Sequence, residues 1–163
     1  MPEIFPSWPP GGTDWGTPPN IDRCWTCRSM FMQSWGHYGT AWSVVHQHLG
    51  VRPHLGHDRL EVVPQVPAGR SSVQGQDIRL GDGSADVLAS RDGKRHTTVT
   101  DTSGVSLATY RIGHTLPRGS EVASVELDGT AVTDYTRRET NRGLEVWVAA
   151  DPAVRHTLVV TAE

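Results

Sequence analysis

The pattern of apolar and polar positions changes period once along this chain, near residues 51–58. Before that point it is helical. In residues 20–50, Cys24, Phe31, Trp35, Tyr38, Trp42, Val45 and Leu49 fall on one face, most of them three or four residues apart. Beside them runs a second stripe, Met30, Ser34, His37, Ala41 and Val44, whose side chains are small or apolar. No Asp, Glu, Lys or Arg lies between Ser29 and Gly50, so the pattern predicts a long helix with protein on every side. Asp22, or Asn20 before it, caps the start by accepting hydrogen bonds from free backbone N–H groups. Gly50 is placed to end the helix, and Pro53 prevents its resumption. Gly36 and Gly39 each cost about 1 kcal/mol relative to Ala in mid-helix, so their presence implies that another backbone packs closely there.

From Arg59 the period becomes two. Short strands are expected at Leu60–Val63, Asp77–Leu80, Ala85–Leu88, Thr97–Thr100, Val105–Ile112, Val122–Leu127, Leu144–Val148 and Thr157–Val160. Asp82-Gly83, Asp92-Gly93 and Asp128-Gly129 separate them as turn dipeptides. In Leu144–Val148 the Leu and Val residues share one face. Short strands joined by Asp-Gly turns indicate a mainly β chain, an antiparallel β-sandwich over residues 59–163, with 51–58 as the linker from the helix. Residues 1–19 form a loop rich in Gly, Pro and Trp, in which Trp8 and Trp15 argue against simple disorder.

Composition narrows the function classes. The chain has 163 residues and a net charge of -3, with no basic block to neutralise phosphates and no stretch able to span a bilayer. Neither nucleic acid nor a membrane is an expected partner. Only one of its basic residues is Lys (Lys94), which reads as genomic bias rather than a partner signal. Met-Pro-Glu-Ile-Phe-Pro lacks a secretory signal pattern, so the chain is expected to be cytoplasmic or part of a longer protein whose export is open.

The order of these segments resembles a known family. A Trp/Gly/Pro loop precedes a buried aromatic helix ending in Trp42-Ser43-Val44-Val45-His46-Gln47-His48-Leu49-Gly50. Val62-Val63-Pro64-Gln65-Val66-Pro67, Ile78-Arg79-Leu80-Gly81-Asp82-Gly83-Ser84 and Val125-Glu126-Leu127-Asp128-Gly129-Thr130 follow. This resembles the C-terminal end of the six-hairpin glycoside hydrolases, the α/α-toroid enzymes, and among them the bacterial glycogen debranching proteins and glucoamylase-like enzymes. The resemblance implies that the helix is the last of a toroid and leads into a C-terminal β-sandwich. The helix's missing partners are then the other toroid helices, upstream of this chain.

Glycoside hydrolysis uses two carboxyl groups flanking the scissile bond. In glucoamylase-like enzymes the base lies in the loop before the last toroid helix, and the carboxylates in the matching loop here are Glu3 and Asp14. Asp14 is preferred, because in Gly11-Gly12-Thr13-Asp14-Trp15-Gly16 a flexible backbone can approach a sugar and Trp15 can stack on its ring. The family's base is typically Glu, so Glu3 stands as the rival. Trp8 is a further candidate for substrate contact, or packs the loop against the core. The resemblance implies hydrolysis of an α-glucan-like carbohydrate without a cofactor, and an isolated chain that lacks a complete active site. An alternative is a non-catalytic carbohydrate-binding β-sandwich module, and a third is an interaction protein whose helix docks on a partner.

Two other groups invite metal or redox chemistry. Cys24 and Cys27 have no second Cys pair to complete a zinc site and no preceding strand for a redox motif, and read as small buried residues. His46, His48, His54 and His57 lack helical ligand spacing and acidic neighbours, and read as a polar helix end. No metal site is expected.

Overall fold

The computed structural model describes Gly39, residues 41–152 and residues 155–163. Two compact units meet in sequence at Trp42, and the second, Ser43–Glu163, carries the strands. These are β1 (Val51–His54), β2 (Arg59–Val62), β3 (Ser72–Leu80), β4 (Gly83–Asp92), β5 (Arg95–Ser103) and β6 (Thr109–Leu116). They continue as β7 (Val122–Leu127), β8 (Thr130–Ala131), β9 (Thr136–Thr140), β10 (Gly143–Ala150) and β11 (His156–Ala162). One sheet has the order β1-β2-β6-β10-β9, the other β3-β4-β5-β11-β7-β8. The chain is thus mainly β, as expected. Neighbouring strands are antiparallel except β2 and β6, which run parallel from Arg59 opposite Thr109 to Val62 opposite Ile112. A parallel pair needs a long crossover, and here the strands β3, β4 and β5 of the other sheet supply it.

Alternation along the strands builds the core. On β4, Ala85, Val87 and Ala89 point inward while Asp86 and Leu88 face out. On β10, Leu144, Val146 and Val148 share the core side, as the sequence implies. Leu60, Val62 and Tyr110 meet Leu80, Ala85 and Val87 in one apolar cluster, while Ile112, Leu116, Leu144 and Val146 meet Val125, Leu158 and Val160 in another. The strand β5, between β4 and β11, adds no member to either cluster. Its inward positions are His96, Thr98 and Thr100, all buried. The hydroxyl of Tyr110 donates to Thr100 Oγ1 at 2.6 Å, and burial raises the Tyr110 pKa to about 12 although that bond works the other way.

The described end of the expected helix is a π-helical turn, Trp42–His48, closed when the Leu49 N–H donates to the Val44 carbonyl five residues back at 2.9 Å. Leu49 then enters the core. Gly50 stops the helix at φ 65°, and Val63 N–H donates to its carbonyl at 3.0 Å. A Cβ on Gly50 would lie 1.9 Å from the Val63 carbonyl oxygen. Gly50→Ala therefore meets both a left-handed backbone and a backbone clash, and is expected to destabilise the chain by well over about 1 kcal/mol. A urea unfolding curve would read this as a lower midpoint at unchanged slope.

The structure corrects several expectations. Residues 51–58, expected as a linker, form β1 and a 3-10 turn, Leu55–His57. Pro53 is compatible with β1 because that strand is a sheet edge, where the missing N–H leaves no ladder bond unmade. Asp128-Gly129 does form the β7–β8 turn, but the other two turns run through Gly81-Asp82 and Gly93-Lys94, one residue earlier and one later than a turn centred on each Asp-Gly pair would suggest. The strand expected at Val105–Ile112 starts later, at Thr109. Trp42, whose expected packing partners lie outside this chain, stands 43% exposed, which leaves that expectation as it was. The loop 1–19 and most of the expected helix lie outside the described residues.

Candidate functional site

Three polar arrangements stand out in the sandwich. On the outer face of the five-stranded sheet, β10 alternation directs Glu145 away from the apolar core, yet its side chain is wholly buried. Arginines do the covering. Arg52 of β1 approaches Oε1 at 2.5 Å and Oε2 at 3.2 Å, Arg138 of β9 reaches Oε2 at 2.7 Å, and Arg142 in the β9–β10 turn reaches Oε1 at 3.1 Å. Burial alone would raise the Glu145 pKa, but the bonds from Arg52 and Arg138 and the charges of Arg52 and Arg142 hold it at about 2. Burial, with Arg52 beside it, pulls Arg142 down to about 10 even though Glu145 opposes that change. Arg142 also donates to the carbonyls of Gln47, at 2.6 Å, and Val63, at 2.9 Å, tying the π-turn to the sheet. Gly143 directs this turn with φ 137°, and a Cβ there would lie 2.2 Å from the Leu116 carbonyl oxygen. Beside the cluster, the Arg138 guanidinium stacks over Trp147 with 5.1 Å to the ring centre. Glu145 is an ion-pair hub, too firmly ionised to supply a proton in catalysis.

The second arrangement is a cleft of about 220 Å³ lined by Gln65, Val66, Arg91, His96, His114 and Pro117, among others. His96 and His114 meet edge-on with ring centres 5.0 Å apart. Thr98 Oγ1 lies 2.8 Å from His114 Nδ1 and 2.8 Å from the Gly113 carbonyl oxygen. Burial, with the charges of His96 and Arg142, lowers the His114 pKa to about 3. Burial and then Arg91 lower that of His96.

The third is a shallow groove of about 190 Å³ on the outer face of the six-stranded sheet, where Gln74, Gln76, Asp86, Asp101 and Arg155 line the surface. Asp86 and Asp101 sit directly opposite each other on β4 and β5, an arrangement that is unfavourable for like charges. Part of the Asp86 carboxylate is committed to the fold: its Oδ1 accepts from Asp77 N–H at 2.7 Å where β3 bulges.

The site residues expected from sequence, Glu3, Asp14, Trp8 and Trp15, lie outside the described residues, as do Cys24 and Cys27. His46 and His48 belong to the π-turn, His54 ends β1 and His57 ends the 3-10 turn. Sequence reasoning did not single out Glu145, His96 or His114. Glu145 alternates correctly with Leu144 and Val146 as an outward residue, so nothing local signals its burial. In His96-Thr97-Thr98-Val99-Thr100 the apolar Val99 suggests the wrong inward face, because Thr98 and Thr100 take the core positions.

No protein-family model and no curated protein matches the sequence. Among solved structures, a weak likeness links it to the α-1,4-glucan lyase of Gracilariopsis lemaneiformis, in its covalent intermediate complex with 5-fluoro-idosyl fluoride. The two share 8% identity at a TM-score of 0.41, over 63% of this chain and 13% of the lyase. This chain thus matches only a small part of the lyase's length.

Proposed function

We propose that this chain is the C-terminal portion of a glycoside hydrolase acting on an α-glucan-like carbohydrate. In this reading residues 20–50 are the last helix of an α/α toroid, and the β-sandwich is the domain that follows it. Asp14 or Glu3 provides a catalytic carboxylate, Trp15 and Trp8 contact the sugar, and no cofactor takes part. The observation that carries the reading is the way the sandwich holds the π-turn at its start. The π-turn Trp42–His48 leads directly into a buried Leu49 and a left-handed Gly50, and Arg142 fastens the Gln47 carbonyl to the sheet. A sandwich that holds the turn at its start this firmly suits a domain that follows directly on a helical one. Of its buried carboxylates, Glu145 is neutralised by arginines and Glu61 pairs with Arg111, so the chemistry is assigned upstream of the sandwich.

The groove with Gln74, Gln76, Asp86, Asp101 and Arg155 favours a second reading, a non-catalytic carbohydrate-binding module, because amides, carboxylates and guanidinium groups match sugar hydroxyls. One pair of measurements separates the two. Hydrolysis of maltooligosaccharides is assayed in the longest product of the gene and in the 163-residue chain, and binding of maltoheptaose to the latter is followed by NMR. The hydrolase reading expects activity in the longer product alone. Binding confined to the groove, with no hydrolysis in either protein, would replace it with the module.

A further inference from the structure

We propose that the cleft at His96 and His114 binds a small neutral polyhydroxylated molecule, with Nε2 of His114 as a fixed acceptor for one of its hydroxyl groups. The inference stands independently of the hydrolase reading, since it uses only side chains of the sandwich.

Proton accounting at Thr98 carries the argument. Its Oγ1 is 2.8 Å from both the Gly113 carbonyl oxygen and His114 Nδ1. A carbonyl can only accept, so the single hydroxyl proton goes to Gly113 and the hydroxyl oxygen must accept from Nδ1–H. His114 is thereby held in the tautomer whose Nε2 carries a bare lone pair. That nitrogen is buried and, among the described residues, has no hydrogen-bond partner, and its ring lines the cleft. A buried acceptor left unmatched is costly, so a ligand that donates a proton here is favoured.

The surrounding groups select the kind of donor. Arg91 stands opposite His96 across the β4–β5 pair and brings donors only. Gln65 lines the same space, its amide nitrogen bonded to the Arg142 carbonyl at 2.5 Å, and Val66 and Pro117 supply apolar surface. A metal ion is disfavoured. Arg91 lines the cleft, Arg142 lowers the His114 pKa from nearby, and among the described residues no His, Cys, Asp or Glu completes a metal-binding group. A fully deprotonated anion is disfavoured by the His114 lone pair, which requires a donated proton. A hydroxyl group both donates and accepts, and the C–H faces of a polyol suit Val66 and Pro117. About 220 Å³ has room for roughly seven waters at about 30 Å³ each, the scale of glycerol or a single sugar ring rather than a chain of sugars.

The test titrates the full chain, with histidine imidazoles labelled with nitrogen-15, separately with D-glucose, glycerol and zinc chloride. D-glucose or glycerol is expected to give saturable millimolar binding that shifts His114 Nε2 and the His96 ring. Ala68 is exposed in the β2–β3 connection and lines the cleft, so Ala68→Trp blocks the site without touching the histidines. Ala68→Trp and His114→Phe are each expected to weaken binding by at least about tenfold. Because His114→Phe also severs the Thr98 bond, Ala68→Trp is the decisive variant if the other fails to fold. Three results would overturn the proposal: no saturable shift with either polyol, saturation by zinc alone, or polyol binding that survives Ala68→Trp. A chain without any hydrolytic activity leaves the proposal standing.

Discussion

Glu145→Gln is expected to lower the stability of the chain by about 3–5 kcal/mol, the range for removing one partner of a buried ion pair. The substitution keeps the size of the side chain but removes the charge that offsets three arginines, of which Arg142 is itself almost wholly buried. It also loosens the clamp by which Arg142 holds Gln47 and Val63. In urea the midpoint should fall by roughly 1 M or more at unchanged slope, and the melting temperature by on the order of 10 °C. The pH dependence has a defined sign. Glu145 has a folded pKa of about 2 against an ordinary 4.5, so its contribution is complete above pH 4.5 and is lost as pH falls through 2. At about 1.4 kcal/mol per pH unit that separation corresponds to roughly 3 kcal/mol, in line with the mutational figure. The gap in stability between the native chain and Glu145→Gln should therefore close as the solution is acidified across that window. A gap that stays constant down to pH 2 would show that Glu145 acts through shape and not through charge.

In the proposed hydrolase, Asp14→Asn is expected to reduce kcat on maltooligosaccharides by about 10²–10⁴-fold, the usual share of a positioned general acid or base. The assay belongs in the longest product of the gene, since the proposed second carboxylate lies outside this chain. KM should change little, because Asn keeps the shape and loses only the ability to exchange a proton at neutral pH. Glu3→Gln provides the internal comparison: whichever of the two variants collapses kcat marks the carboxylate that does the chemistry. Trp15→Ala should act differently, raising KM through the loss of a stacking surface. Activity within about twofold of the native level in both carboxylate variants would remove the proposed site from the loop 1–19, since a catalytic acid or base contributes at least about 10²-fold.

Much of the β architecture was legible from residue order. The strand at Val122–Leu127 matches β7 residue for residue, and Leu144, Val146 and Val148 face the core as their spacing implies. These succeed because a half-buried strand must alternate, and alternation is written locally. The edges of the five-stranded sheet were not legible. Pro53 masks β1, and the run Thr136-Arg137-Arg138-Glu139-Thr140 masks β9, since neither buries an apolar face that would reveal a period of two.

What the sequence by itself determined is the sandwich class, the end of the helix at Gly50 and the inward faces of the apolar strands. Each depends on the spacing of neighbouring residues and the backbone freedom of one glycine. Only the tertiary structure decided that Glu145 is buried, that Arg52 and Arg138 converge on it with Arg142, and that His96 and His114 share a cleft. Arg52 and Glu145 are 93 positions apart in the chain. His96 and His114 belong to different sheets. The first contact arises when distant strands assemble into one sheet and the second when the two sheets close on each other, and no local period carries either.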